Sequence, residues 1–287
     1  MTNDSHSFVL TIVCPDAVGI VAAVAGYLTE GNHFIEESAH YGDPDTNRFF
    51  MRTRFAPRGQ AFSRAAFAAG FDAIAARFDM DWQLHDTRVL PRVLIMVSKY
   101  DHCLNDLLYR FRTGALRMAI PAIVSNHMDL AGLASWHKVP YFHVPVTADD
   151  RTAAETRLLE IADDCRADLI VLARYMQILS PATCTRYAGR IINIHHSFLP
   201  GFKGAKPYHE AHRRGVKLIG ATAHYVTADL DEGPIIAQAV ERADHTMSPD
   251  DLVAIGRDVE SLTLARAVKL QLEHRVFVNG MRTVVLR

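Results

Sequence analysis

The chain is 287 residues long, 49% hydrophobic and 22% charged, enough for one large domain or two ordinary ones with real cores. A formal net charge of -1 supplies no global field to recruit nucleic acid or an anionic membrane. The start "MTNDSHSFVLTIV" lacks a secretory pattern, no apolar run approaches a membrane span, and the four scattered cysteines form no CxxC pair, so a reduced cytoplasmic protein is expected.

From Phe8 to His85 the predicted order is strand, helix, strand, strand, helix, strand. "SFVLTIVC" is a β-rich run, and "PDAVGIVAAVAGYLTEGN" has apolar residues at helical spacing after a Pro-Asp start. "FIEESAHYGD" and "NRFFMRTRFA" are paired strands across a Gly-Asp-Pro-Asp turn, followed by the helix "SRAAFAAGFDAIAARFD" and the strand "MDWQLHD". A βαββαβ order of this size fits a ferredoxin-like module. Gly19, at the entry to the first helix, allows close backbone approach where a helix N-terminus can hold a carboxylate, or serves simply as a tight turn.

The stretch "CPDAVGIVAAVAGYL", with Asp16 and Gly19 at the turn into the helix, resembles the ACT domain, a small amino-acid-sensing or oligomerising unit of metabolic enzymes. The resemblance implies a homo-oligomer and an amino-acid effector such as glycine or methionine, with Asp16 and Gly19 as the regulatory residues.

"HDTRVLPR" at 85–92 marks the expected boundary, giving an N-terminal module at 1–86 and a second domain at 87–287. Beyond it the apolar runs "RVLIMVS", "LRMAIPAIVS", "VPYFHVPV", "ADLIVLARY" and "RIINIHHS" alternate with the helical segments "CLNDLLYRFR", "MDLAGLASWH" and "RTAAETRLLEIADDC". Such alternation predicts a Rossmann-like, mostly parallel sheet covered on both faces, an α/β domain. A long helix from "PDDLVAIG" to "LQLEH" and a hairpin turning at Asn279-Gly280 close the chain.

In open parallel sheets, ligands sit at the carboxyl ends of the strands. "RIINIHH" ends with Asn193 and His195 two apart, so both face one side of the strand, with Ile194 in packing and His196 expected to face away if the strand continues that far. Farther on, a run through Thr222 and His224 leads to a loop bearing Asp229, Asp231 and Glu232, closed by Gly233-Pro234. A carboxamide, an imidazole and a carboxylate suit attack on a carbonyl: the amide donates to a developing oxyanion, and the other two move and orient protons. Taken separately, Asn-x-His reads as capping and Asp-Glu-Gly-Pro as an ordinary turn.

The block "NIHHSFLPGFKGAKPYHEAHRRGVKLIGATAHYVTADLDEGPIIAQ" resembles the formyltransferase family that handles 10-formyltetrahydrofolate. With an ACT-like module in front, the chain as a whole resembles the formyltetrahydrofolate deformylases. The resemblance implies hydrolysis of 10-formyltetrahydrofolate to tetrahydrofolate and formate, which supplies formate for purine synthesis and balances the one-carbon pool. It makes Asn193, His195 and Asp231 the catalytic set. It also places Met176, Gln177, Ile178 and Leu179 of "ARYMQILS" around the folate, with His224 and Asp229 lining the same pocket. Some relatives carry Arg where this chain has Gln177, a departure that bears on recognition of the glutamate tail. No metal and no tightly bound cofactor are implied; the folate is the substrate.

The alternative is formyl transfer to an amine. An enzyme that takes a phosphorylated amine needs a Gly-rich turn of backbone donors after its first strand. Here Ser98, Lys99 and Tyr100 follow that strand with no Gly, which favours water as the acceptor. His209 and His212, three apart on a predicted helix, lack the frame of a zinc site and read as solvated. Cys103 and Cys184 have no surrounding motif and read as inert buried thiols.

Overall fold

The computed structural model describes residues 6–59, 62–147, 150–199 and 207–287. The Gly- and Lys-rich segment 200–206, part of the motif block above, lies outside the described residues. Two compact units form: one of residues 1–90, 274–277 and 284–287, the other of residues 91–273 and 278–283.

The first unit runs β1 (Phe8–Pro15), α1 (Ile20–Glu30), β2 (His33–Asp43), β3 (Arg48–Pro57), α2 (Arg64–Phe78) and β4 (Asp81–Asp86). Its sheet has the order β2-β3-β1-β4, with β1 antiparallel to both β3 and β4. This is the expected βαββαβ arrangement. Leu10 and Ile12, two apart on β1, meet Val24 and Leu28 of α1 and Phe71 of α2 in one apolar core. The helix α1 starts four residues later than its Pro-Asp signal suggested. Gly19 is its N-cap at φ +99°, and an added Cβ there would meet its nearest neighbour, Phe78, at only 3.9 Å. Glycine therefore supplies a left-handed backbone here, with no need for close approach.

The second unit begins β5 (Arg92–Val97), α3 (His102–Arg112), β6 (Ala119–Ser125), α4 (Ala131–Trp136), β7 (Tyr141–His143), α5 (Arg151–Asp164) and β8 (Leu169–Leu172). It continues with α6 (Pro181–Arg186), β9 (Ile191–His195), α7 (Pro207–Arg214), β10 (Leu218–Tyr225), β11 (Ile235–Arg242) and α8 (Pro249–Leu272). The sheet order is β11-β10-β9-β8-β5-β6-β7. The pairs among β5 to β9 are parallel, whereas β9–β10 and β10–β11 are antiparallel. The chain builds outward from β5 through β6 to β7, then returns to β8 on the other side of β5. That reversal opens a crevice at the strands' carboxyl ends, the position that open α/β sheets give to ligands.

Ser248 and Asp251 form a reciprocal capping box at the start of α8, which packs across β9, β10 and β11. Gly256 lets α8 approach α7, for a Cβ there would lie 2.1 Å from the Tyr208 ring. The hairpin β12 (Val276–Asn279) to β13 (Arg282–Val285) turns at Gly280, φ +62°, as Asn279-Gly280 predicted. No described helix is long and apolar enough to cross a membrane.

Candidate active site

Asn193 and His195 stand on β9, and β10 runs antiparallel beside it with His224 opposite Asn193. Directly opposed residues share a face, so the three polar side chains gather on one side while Ile194 is buried. Beyond Tyr225 the chain loops out and returns at Ile235. Tyr225 N–H donates to the Pro234 carbonyl at 2.9 Å, pinching the loop shut. Gly233 passes so close that a Cβ would stand 1.8 Å from the Tyr225 carbonyl oxygen. Within this loop Asp231 takes a left-handed backbone, φ +58°, a conformation costly for an L-residue unless its surroundings impose it.

That strained residue turns its carboxylate to the imidazoles. Asp231 Oδ2 lies 3.3 Å from His195 Nδ1, and Oδ1 lies 3.7 Å from His224 Nε2. The second distance is too long for a hydrogen bond. His224 Nδ1–H donates to the Tyr225 carbonyl at 2.8 Å, leaving Nε2 to accept from Asn193 Nδ2 at 3.3 Å. This bond orients the carboxamide and leaves its second N–H for another acceptor. The hydrogen bond from His195, first of all, holds the Asp231 carboxyl well below the usual carboxylate range, against the opposing effect of its partial burial. His195 Nε2 is buried and has no hydrogen-bond partner among the described residues.

A cavity of about 330 Å³ opens on this group. Asn193, His195 and Asp231 line it, together with Met176, Gln177, Ile178, Leu179, His224 and Asp229. Met176 and Ile178 are 50% and 56% exposed at its wall, an apolar surface with polar groups at its floor. The 173–179 segment is tied down from β5: Ser98 Oγ–H donates to Asn126 Oδ1 at 2.7 Å and accepts from Met176 N–H at 3.0 Å. The residue that lacks a Gly-rich neighbourhood is thus occupied in holding the pocket wall.

His196 departs from expectation. β9 ends at His195, so strand alternation lapses, and His196 lines the same cavity with its ring stacked on that of His195. Arg174 Nη1 donates to His196 Nδ1 at 2.6 Å, and Arg174 Nε lies 3.4 Å from Glu260 Oε2. Neither Arg174 nor Glu260 stood out in the sequence. A usable signal existed: Glu260 is four residues from Gly256 and from Leu264, on the buried stripe of α8. Burial alone would raise its carboxyl, but the His102 hydrogen bond, the Arg174 charge and the Tyr208 hydroxyl hold it below the ordinary range. Cys103 joins His102 and Glu260 within 4.8 Å. The Arg174 guanidinium beside that carboxylate opposes a cation there, and burial keeps the Cys103 thiol protonated. His209 and His212 are exposed on α7. Asp16, in the first unit, packs its carboxylate against Gly42, where a Cβ would meet Oδ2 at 2.2 Å.

The family model for formyl transferase matches residues 91–268. A curated formyltetrahydrofolate deformylase from Corynebacterium sp. is 50% identical over 279 residues, covering 97% of this chain and 98% of the relative. The solved structure of a formyltetrahydrofolate deformylase from Burkholderia mallei superposes with a TM-score of 0.94 at 55% identity, covering 98% of this chain and 100% of that one. The chain belongs to the formyltetrahydrofolate deformylase family. A further formyltetrahydrofolate deformylase structure, from Pseudomonas syringae, gives a TM-score of 0.96 at 46% identity, covering 100% of this chain and 96% of that one. The formyltetrahydrofolate deformylase likeness therefore spans both compact units, with the formyl transferase match confined to the second.

Proposed function

We infer that the chain hydrolyses 10-formyltetrahydrofolate to tetrahydrofolate and formate, with Asn193, His195 and Asp231 as the catalytic set. One observation carries the assignment: three side chains from β9 and the β10–β11 loop meet on one cavity whose apolar wall suits a folate, with a buried imidazole nitrogen that has no partner among the described residues. Asp231, held ionised, is too weak a base to take a proton from water. Its work is to accept from His195 Nδ1–H and so keep Nε2 as the basic nitrogen. Water attacks the formyl carbon while His195 Nε2 takes its proton, and the free N–H of Asn193 donates to the oxyanion. The imidazolium then returns the proton to N10 as the carbon–nitrogen bond breaks, releasing formate. Water as acceptor agrees with Ser98 being committed to the pocket wall, since no glycine nest follows β5 to hold a phosphorylated amine.

The test is formate release from 10-formyltetrahydrofolate with no amine present. Wild type is expected to turn over, and Asn193→Ala to lose roughly 10²–10³ in kcat while still binding folate. Near-normal turnover in Asn193→Ala refutes the assignment, and formyl transfer to an added amine outrunning formate release favours the transferase reading. Residues 1–86 would then serve as an ACT-type regulatory module, supported by its βαββαβ sheet. Assembly into a homo-oligomer and an amino-acid effector, glycine or methionine, at the Asp16–Gly19 turn are part of this proposal. A cytoplasmic location suits the four free thiols.

A further inference from the structure

A buried charged network lies beside the three residues assigned to the chemistry, and the reaction as derived makes no use of it. Glu260 is 1% exposed and accepts from His102 Nε2–H at 2.8 Å and from the Tyr208 hydroxyl at 2.7 Å. Its carboxylate pairs with Arg174, whose guanidinium also lies over the Tyr100 ring, 5.4 Å from the centroid. Arg174 itself has a left-handed backbone, φ +64°. A buried ion pair contributes little net stability, and a strained backbone detracts from it. Both costs fall on the residue that also donates, through Nη1–H, to His196 Nδ1 at 2.6 Å. A guanidinium only donates, so that nitrogen of His196 is an acceptor and the ring's hydrogen sits on Nε2. The ring so fixed stacks on His195 with centroids 4.9 Å apart and planes 17° from parallel.

We propose that His196 is a positioning residue for the deformylation: clamped by Arg174 on Glu260, its neutral ring fixes the plane of His195 so that Nδ1 meets Asp231 and Nε2 meets the formyl group. The proposal rests on the reading of His195 as the proton carrier. His195 becomes positive as it takes the proton from water. A flat neutral neighbour accommodates that charge, whereas a second imidazolium stacked against it would oppose it. Among the described residues, the groups that face the pair are Arg174 and Asp231, with Glu260, His102 and Tyr208 behind the guanidinium. Arg174 is the donor that keeps the His196 hydrogen off Nδ1, and removing it lifts that constraint on the ring beside His195.

Steady-state formate release by the full-length protein across pH tests this. His196→Ala is expected to lower kcat about 10- to 100-fold with KM near the wild-type value, and His196→Phe, which restores a flat ring, to recover most of the loss. Arg174→Met is expected to move the acid limb of kcat/KM to higher pH, with Arg174→Lys, which keeps a cationic donor, closer to wild type. Wild-type kcat in His196→Ala overturns the proposal, and so does an Arg174→Met enzyme slowed by one factor at every pH. If Arg174→Met does not fold, the two His196 variants still decide. His195→Ala is the control: normal turnover there defeats the reading of His195, whereas normal turnover in His196→Ala alone defeats only the role given to His196.

Discussion

A carboxylate lying beside two imidazoles is a good anchor and a poor base, and Asp231 illustrates why the distinction matters. Its carboxyl is held below the usual range chiefly by His195, so it stays ionised well below neutrality. Asp231→Asn keeps the volume but presents an amide. Its Nδ2–H can donate to His195 Nδ1, which moves the imidazole hydrogen to Nε2 and removes the proton acceptor. Turnover is expected to fall about 10³–10⁴-fold, as when the analogous orienting carboxylate is neutralised in a serine protease. Single-turnover formate release measures it, and a loss under about tenfold would return the role of base to the carboxylate. The sign of the stability effect is set by the same interaction. Stability due to the lowered carboxyl is present above the ordinary carboxylate range and is lost as pH falls through the folded value, so Asp231→Asn should destabilise at neutral pH and converge with wild type in acid.

The loop from β10 to β11 works as one piece because Gly233 lets it lie against Tyr225. Gly233→Ala places a Cβ 1.8 Å from a backbone oxygen that is fixed in the sheet, so the loop must lift and carry Asp231, two residues earlier, with it. Displacement of about an ångström can cost on the order of 10² in rate. The variant should therefore fold, be less stable by about 1–3 kcal/mol, and lose kcat. Wild-type kcat in a folded Gly233→Ala protein would show that Asp231 is not positioned by this closure. Much of this geometry was legible beforehand, because strand alternation put Asn193 and His195 on one face and Gly-Pro marked where the loop ends. What was hidden depended on partners distant in sequence. α6 has six residues, less than two helical turns. β11 passes from buried Ile236 and Ala237 to exposed Val240, Glu241 and Arg242 and follows a turn signal, so it gave no alternating pattern. His196 could not be oriented without knowing that β9 stops one residue earlier, and Glu260, though spaced on the buried stripe of α8, has no stated role until Arg174 and His102 are seen around it.

The chain returns to its first unit near its end, first with residues 274–277 and again with residues 284–287. Phe277 and Leu286 cover Phe50 on the sheet. Arg275 grips Glu37 with two bonds, of 2.7 and 3.0 Å, while Arg52 holds the same carboxylate at 3.0 Å. Beside this clamp, His274 stacks on His85 from β4, with centroids 3.5 Å apart and planes 12° from parallel. Burial, followed by nearby positive groups including Arg52, pushes the His85 ring down to about 4 and the His274 ring down to about 3. Both rings are therefore neutral when folded, whereas in the unfolded chain each takes a proton near pH 6.5. Between those values the unfolded state binds more protons, so stability rises with pH and is lost as pH falls from about 6.5 toward 4. Acidifying from pH 7 to 5 should weaken this unit by roughly 2 kcal/mol per ring, read as the denaturation midpoint of the unit's own transition. Replacing both rings, as His85→Phe with His274→Phe, keeps an aromatic stack and removes the titrating groups. The double variant should lose most of the wild-type acid sensitivity, and an unchanged pH dependence would show that these two imidazoles do not govern how the returning segment is held.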